Sequence, residues 1–246
     1  MKEKKPIIIA HRGASAFAPE NTMAAFKKAY ELNADGIEFD VKLSKDGEMV
    51  IIHDQTLDRT TNGHGKVIET KLKDLRSLDA GCSYSESFAG ERIPLLCEVL
   101  EEFSDFSTIN IEITNYASIT DGLANKICKL VKDMRLERNV IFSSFHPYNL
   151  LVVRNKLPQV PAALLALPGK SGNLTRSNLL RWLSPDFIHP YYKDVTGEYI
   201  EKQHDKSRKV NVWTVDIESD IKKVFEDGVD GIITDNPLLV RRVLDS

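Results

Sequence analysis

Asp35-Gly36-Ile37-Glu38-Phe39-Asp40-Val41-Lys42-Leu43, continued by Ser44-Lys45-Asp46-Gly47-Glu48 and Met49-Val50-Ile51-Ile52-His53-Asp54, is the stretch on which the fold turns. From Asp35 to Leu43 apolar and polar side chains alternate, the mark of a strand with unlike faces. Residues two apart share a face, so Glu38 and Asp40 point one way while Ile37, Phe39 and Val41 point the other. Asp46-Gly47 is a tight-turn signal, and Met49 to His53 reads as a returning strand. A two-residue turn would set Lys45 opposite Glu48 and, counted back, Asp40 opposite His53, with both on one face.

If that hairpin only extends the second strand, eight parallel strand–helix units remain. The other strand patterns are Ile7 to His11, Thr108 to Thr114, Val140 to Ser144, Val160 to Leu167, Asp186 to Pro190, Lys209 to Val215 and Asp230 to Thr234. Helical patterns separate them, among them Pro19 to Leu32, Ile119 to Met134, Leu174 to Leu183 and Glu218 to Asp227. Eight units in 246 residues predict an α/β fold, a TIM (β/α)8 barrel rather than an open sheet. The reading is one domain, residues 1–246, with residues 55–93 as a small insertion after the second strand. That insertion is long for a structureless loop, so it is expected to carry function or local structure.

Composition narrows the classes. With 42% hydrophobic and 28% charged residues and a net charge of -3, the chain has no general attraction to nucleic acid or an anionic membrane. Any phosphate it recognises must be held locally. No apolar run approaches the ~20 residues of a membrane span. The start, Met1 to Ala10, is basic, but its apolar part is too short for a signal peptide and reads as a first buried strand. Cys82, Cys97 and Cys128 are an odd number without metal-ligand spacing, which points to inert or packing thiols in a reduced, cytoplasmic protein. Nothing in the sequence sets an oligomeric state.

The chemistry gathers at strand ends. Two inward carboxylates, Glu38 and Asp40, repel each other unless a positive charge lies between them. The third parallel strand repeats the pattern, with Ile109, Ile111 and Ile113 on one face and Asn110, Glu112 and Thr114 on the other. Glu112 would supply a third oxygen ligand, and an all-oxygen set favours Mg²⁺, Ca²⁺ or Mn²⁺ over zinc. His11 and Arg12 end the first strand, where such barrels carry their active sites. One histidine of the pair His11 and His53 can deprotonate an attacking hydroxyl and the other protonate a leaving alkoxide. Arg12 can hold a phosphate through two parallel hydrogen bonds. Elsewhere, His189 ends the sixth parallel strand and is a candidate for substrate contact. His146 reads as a helix-start residue, His64 and His204 as surface residues, and Asp235-Asn236-Pro237 as a helix start.

His11-Arg12-Gly13, Pro19-Glu20-Asn21-Thr22, Glu38-x-Asp40 and His53-Asp54, in this order, resemble the glycerophosphodiester phosphodiesterase family. Asp58-Arg59-Thr60-Thr61-Asn62-Gly63, Ile93-Pro94-Leu95, Ser143-Ser144-Phe145, Trp213-Thr214 and Asp230 to Pro237 agree, so the resemblance spans nearly the whole chain. It implies a TIM barrel that hydrolyses glycerophosphodiesters, small-molecule substrates, to glycerol 3-phosphate and an alcohol. It implies His11 and His53 as acid/base pair, Glu38, Asp40 and Glu112 as ligands of a divalent cation, Arg12 on the phosphate, and Trp213 at the substrate end. One position departs: the family usually reads Glu-x-Lys on the third parallel strand, and Thr114 stands at the lysine. Another cation takes its place, or substrate choice or activity is altered. The rival readings are a lysophospholipase D-like enzyme and a binding barrel with weakened turnover. The attacking hydroxyl, from water or from the glycerol 2-position, is not set by the sequence.

Overall fold

Parallel strands close into a ring in the order β1 (Ile7–His11), β2 (Gly36–Leu43), β4 (Thr108–Ile113), β5 (Val140–Ser144), β6 (Ala162–Ala166), β7 (Phe187–Pro190), β8 (Lys209–Val212) and β9 (Gly231–Thr234), with β9 pairing back to β1. A ninth strand, β3 (Met49–Ile51), runs antiparallel to the end of β2. The structure is a computed structural model that describes residues 5–246; the charged start Met1–Lys4 lies outside them.

The alternation read in β2 and β4 places the apolar set outward, as expected. Ile37, Phe39, Val41, Ile109, Ile111 and Ile113 pack with Phe26, Leu96, Leu100, Ile127 and Val131 of the surrounding helices in one buried cluster. A second cluster joins Ile8, Ile188, Val210, Val212 and Ile232 to the helices of the other half. The barrel floor is apolar, with Ile141, Ala163 and Phe187 in contact. Above it, Asn110, Ser143, His189 and Asn211 are all at most 1% exposed. His189, unlike Asn110, does not line the cavity at the barrel mouth. Its Nε2 faces Asn211 Nδ2 at 3.1 Å, and burial pushes its pKa down to about 3, so it is a neutral interior residue.

The hairpin differs from expectation by one residue. Val41 pairs with Ile51, Lys42 with Val50 and Leu43 with Met49, and Ser44 N donates to Glu48 O at 2.9 Å. The loop is thus three residues, Lys45 to Gly47, with Gly47 at φ +83°, the left-handed region that closes a bulged hairpin. Ser44 selects it: its hydroxyl donates to Asp46 Oδ1 at 2.7 Å and accepts from Glu48 N at 2.9 Å. Ile52, not His53, meets Asp40, its N–H donating to Asp40 O at 3.0 Å. His53 reaches the barrel mouth only because the chain leaves the ladder there.

Residues 55–93 do carry local structure. Leu57, Val67, Leu75, Ala80 and Ile93 bury a small cluster with Val50 and Ile52 from the hairpin, and short helical turns lie at Val67–Glu69, Leu72–Leu75 and Glu86–Phe88. The expected helix from Leu174 to Leu183 is split at Ser177, whose extended backbone separates Asn173–Arg176 from a tighter turn at Asn178–Leu183. Among the described residues, no helix is long and apolar enough to cross a membrane.

Candidate active site

Strand register brings the acidic residues together at the mouth of the barrel. His11 is paired with Glu38, and Asp40 with Glu112. Glu38, Asp40 and Glu112 each offer one carboxylate oxygen, and these lie within 4.8 Å of one another. Glu38 and Asp40 are 2% and 1% exposed. Burial, and then the Asp40 and Glu112 charges, push the Glu38 carboxyl well above the usual carboxylate range. Burial, and then Asp40, lift Glu112 to about 8. Three carboxylates that close together are at odds with one another unless a cation lies between them. The residues fit one: Glu38 Oε1 is buried without a hydrogen-bond partner, while Oε2 accepts from Arg12 N at 3.0 Å. The outer oxygens are already held, Asp40 Oδ2 by Asn21 Nδ2 at 3.0 Å and Glu112 Oε1 by the Tyr116 hydroxyl at 2.7 Å. Such outer contacts aim ligands at a metal.

Asn21 is free for this because Thr22, not Asn21, caps the helix Met23–Glu31, its hydroxyl accepting from Ala25 N. Asn21 and Arg12 both sit at φ 57°, left-handed conformations that non-glycine residues seldom adopt. Gly13, at φ +82°, passes so close to Ala25 that a Cβ would fall 2.6 Å from its backbone. The His11-Arg12-Gly13 turn is thus pressed onto the helix that follows it.

Each predicted histidine is oriented by a carboxylate at the same nitrogen. His11 Nδ1 lies 2.6 Å from Asp235 Oδ1, and His53 Nδ1 lies 2.7 Å from Asp54 Oδ1. Asp235 is itself held by Ser15 Oγ at 2.9 Å, and its N–H donates to Asp216 Oδ1 at 2.8 Å. In both imidazoles Nε2 is left for chemistry; that of His11 lies 4.0 Å from Glu38 Oε2. Both rings line one cavity of about 170 Å³ with Arg12, Glu38, Asn110 and Glu112, closed on its far side by Phe145, Leu165, Trp213 and Ile233. Trp213 spends its N–H on His189 O at 2.8 Å and stands edge-on to Phe145, ring centroids 5.5 Å apart.

Arg12 reaches Glu20 Oε1 at 2.8 Å and, through Nε, Asp40 Oδ2 at 3.4 Å. Near the position where Thr114 departs from the expected pattern the structure supplies a cation of its own. Lys42, 4% exposed on the same face as Glu38 and Asp40, donates its ε-ammonium to Thr114 O at 2.7 Å. The Thr114 hydroxyl turns away and donates to Val41 O at 2.9 Å. Sequence reasoning missed Asp235, Asn21, Glu20, Arg59 and Lys42. Inward parity marked Lys42, and Glu20, Asn21 and Arg59 stood inside quoted motifs, but nothing local pointed from Asp235 to His11. The remaining histidines behave as read: His146 caps the helix Pro147–Lys156, while His64 and His204 pair with Asp58 and Asp230 at the surface.

The profile of the glycerophosphoryl diester phosphodiesterase family matches residues 11–239. The chain is 43% identical over 234 residues to a glycerophosphodiester phosphodiesterase of Caldanaerobacter subterraneus, covering 95% of each. Among solved structures it resembles an Oleispira antarctica phosphodiesterase in complex with the product sn-glycerol-3-phosphate, with a TM-score of 0.89, 28% identity and 98% of each chain covered. It also resembles a Thermotoga maritima glycerophosphodiester phosphodiesterase, with a TM-score of 0.78, 29% identity, and 98% and 99% covered.

Proposed function

The chain belongs to the glycerophosphoryl diester phosphodiesterase family, and we propose that it hydrolyses glycerophosphodiesters to glycerol 3-phosphate and an alcohol through a histidine acid/base pair beside a divalent cation. One observation carries the reading: two imidazoles, each anchored through Nδ1 to a carboxylate, share a cavity with an arginine and with Glu38 and Glu112, which cluster with Asp40 behind them. The whole chain, residues 1–246, is taken as one catalytic domain with residues 55–93 inserted in it. The free cysteines Cys82, Cys97 and Cys128 are in keeping with work in the cytoplasm.

Glu38, Asp40 and Glu112 would hold the cation, and their all-oxygen donor set suits Mg²⁺, Ca²⁺ or Mn²⁺. When bound, the cation would neutralise these carboxylates and polarise a phosphoryl oxygen. Arg12 is positioned to receive the remaining phosphate charge. One histidine takes the proton of the attacking hydroxyl at Nε2, and the other gives its proton to the departing alkoxide as the P–O bond breaks. The same pair serves water directly or the glycerol 2-hydroxyl; in the second route the cyclic phosphate is then opened by water with the two roles exchanged. Asp54 and Asp235 hold Nδ1–H in both rings, so that Nε2 is free as a base in the neutral ring and carries the proton to be donated in the protonated one. The Lys42 ammonium beside Thr114 O counts against a barrel stripped of its charge balance.

The test is glycerol 3-phosphate release from glycerophosphocholine and glycerophosphoethanolamine, with each of the three cations and after chelation. Release that chelation abolishes and a cation restores is expected. No release with any of them would overturn the reading, and full activity after thorough chelation would remove the metal from it.

A further inference from the structure

We propose that Arg59, in the 55–93 insertion, is a positioning residue that joins His53 and Arg12 into one unit, making the insertion part of the catalytic apparatus. Four hydrogen bonds carry this. Arg59 Nη1 donates to Glu20 Oε2 at 2.7 Å and Nη2 to Glu20 Oε1 at 2.8 Å. On its other edge, Nε donates to Asp54 Oδ2 at 2.8 Å and Nη2 to Asp54 Oδ1 at 3.0 Å. The guanidinium is thus forked onto two carboxylates at once, a geometry that an ammonium cannot copy. Each carboxylate has a second partner in the pocket: Asp54 holds His53 Nδ1 at 2.7 Å, and Glu20 holds Arg12 Nη1 at 2.8 Å. The sequence His53, Asp54, Arg59, Glu20, Arg12 is an unbroken chain of charge-assisted bonds. It runs from a ring proposed to move protons to the arginine proposed to hold the phosphate.

The insertion is built to present this residue. Leu57, 1% exposed, is anchored in the insertion's own apolar cluster. Thr61 bonds back to Leu57 O through both its N–H, at 3.1 Å, and its hydroxyl, at 2.7 Å. Arg59 stands at the middle of this pinned turn. Its side chain is 49% exposed, so its ion pairs contribute little to stability, and a contact of that kind is better explained by what it aligns. Without Arg59, the Glu20 and Asp54 charges would be left near one another, and each would be free to draw Arg12 or His53 out of line.

The proposal rests on the acid/base and phosphate roles given above, and the experiment separates the two. Glycerophosphodiester hydrolysis is followed in the native enzyme, in Glu20→Gln, in Asp54→Asn and in the double variant, and the set is repeated in Arg59→Ala. Arg59→Ala should lower kcat/KM by about 10- to 100-fold, the usual effect of losing an outer-shell partner. Both parameters should move, KM rising through Arg12 and kcat falling through His53, while the melting temperature shifts by no more than about 3 °C. With Arg59 present, the two carboxylate variants should lose less together than the product of their separate losses; with Arg59 absent, their effects should multiply. Arg59→Lys, which keeps the charge without the fork, should also lose activity and retain stability. Multiplying effects in the native background, or native kcat and KM in either Arg59 variant, would overturn the proposal. A native enzyme that releases no glycerol 3-phosphate would instead fail the functional reading itself.

Discussion

Glu112→Gln tests the metal site through stability instead of turnover. Desolvation, and then the Asp40 charge, raise the half-buried Glu112 carboxyl from 4.5 to about 8. For an acid whose folded pKa lies above its unfolded one, the folded state binds the extra proton. Its penalty is absent below the unfolded pKa, grows as pH rises, and is fully present above the folded one. The window is therefore pH 4.5 to 8, and the full penalty is roughly 5 kcal/mol. In a chain of this size that corresponds to a fall of roughly 10–20 °C in melting temperature for the metal-free protein. Asp54 and Asp235, held low by Arg59 and by His11, act only at lower pH, whereas His189, pushed down to about 3 by burial, opposes the fall up to about pH 6.5, so the slope is read from pH 6.5 to 8. A cation at a hundred times its Kd adds about 2.7 kcal/mol, or about 5–10 °C, at pH 8, and much less near pH 5, where protons compete for the same oxygens. The measurement is a thermal melt by circular dichroism from pH 5 to 8.5, with EDTA or with Mg²⁺, Ca²⁺ or Mn²⁺. Glu112→Gln keeps the shape and removes the charge, so its metal-free melt should lose part of the slope, the rest coming from Glu38, and much of the cation shift. A metal-free native protein whose melting temperature is flat or rises from pH 6.5 to 8 would refute the reasoning, as would a Glu112→Gln variant that keeps the native slope.

His11→Ala and His53→Ala should each reduce kcat by about 10²–10⁴-fold without loss of fold, and substantial activity in both would sink the acid/base assignment. Asp235→Asn, which leaves His11 in place but removes the charge 2.6 Å from Nδ1, should lower kcat by about 10- to 100-fold; native kcat would show that His11 needs no such partner. Arg12→Lys gives up two-pronged donation and should raise KM by about tenfold with a smaller change in kcat, an expectation that steady-state kinetics at saturating cation would overturn by an unchanged KM.

The ring of parallel strands and the acidic cluster were legible because both follow from a period of two. Once Ile37, Phe39 and Val41 are given to the outer core, Glu38 and Asp40 have no direction left but inward, and Asn110, Glu112 and Thr114 follow from β4 by the same parity. The hairpin register was not legible from that rule, because it depends on one hydroxyl. Ser44 bonds to Asp46 and Glu48, and this turns the expected two-residue loop into a three-residue one. A slip of one residue in a continuing strand would have sent His53 to the wrong face. It does no harm here because pairing stops at Ile51 and the chain is already leaving the sheet.

What stayed hidden is the layer that holds the catalytic side chains in place, and ring closure explains why. Asp235 and His11 are 224 positions apart and meet only because β9 pairs with β1. Locally, Asp235-Asn236-Pro237 already has a sufficient explanation as a helix start, and Asn236 does cap the helix Pro237–Asp245 by accepting from Leu239 N. The helix-start signal thus masked the distant one. Thr114 poses the same problem in reverse. Read along β4 alone it is a missing positive charge; read across the ladder it is a carbonyl that receives a lysine from β2, whose charge faces Asp40, Glu112 and Asp54. The electrostatics of a closed barrel belong to its rim, to which neighbouring strands all contribute. A charge lost from one strand is therefore properly sought on the strand beside it before activity is judged lost.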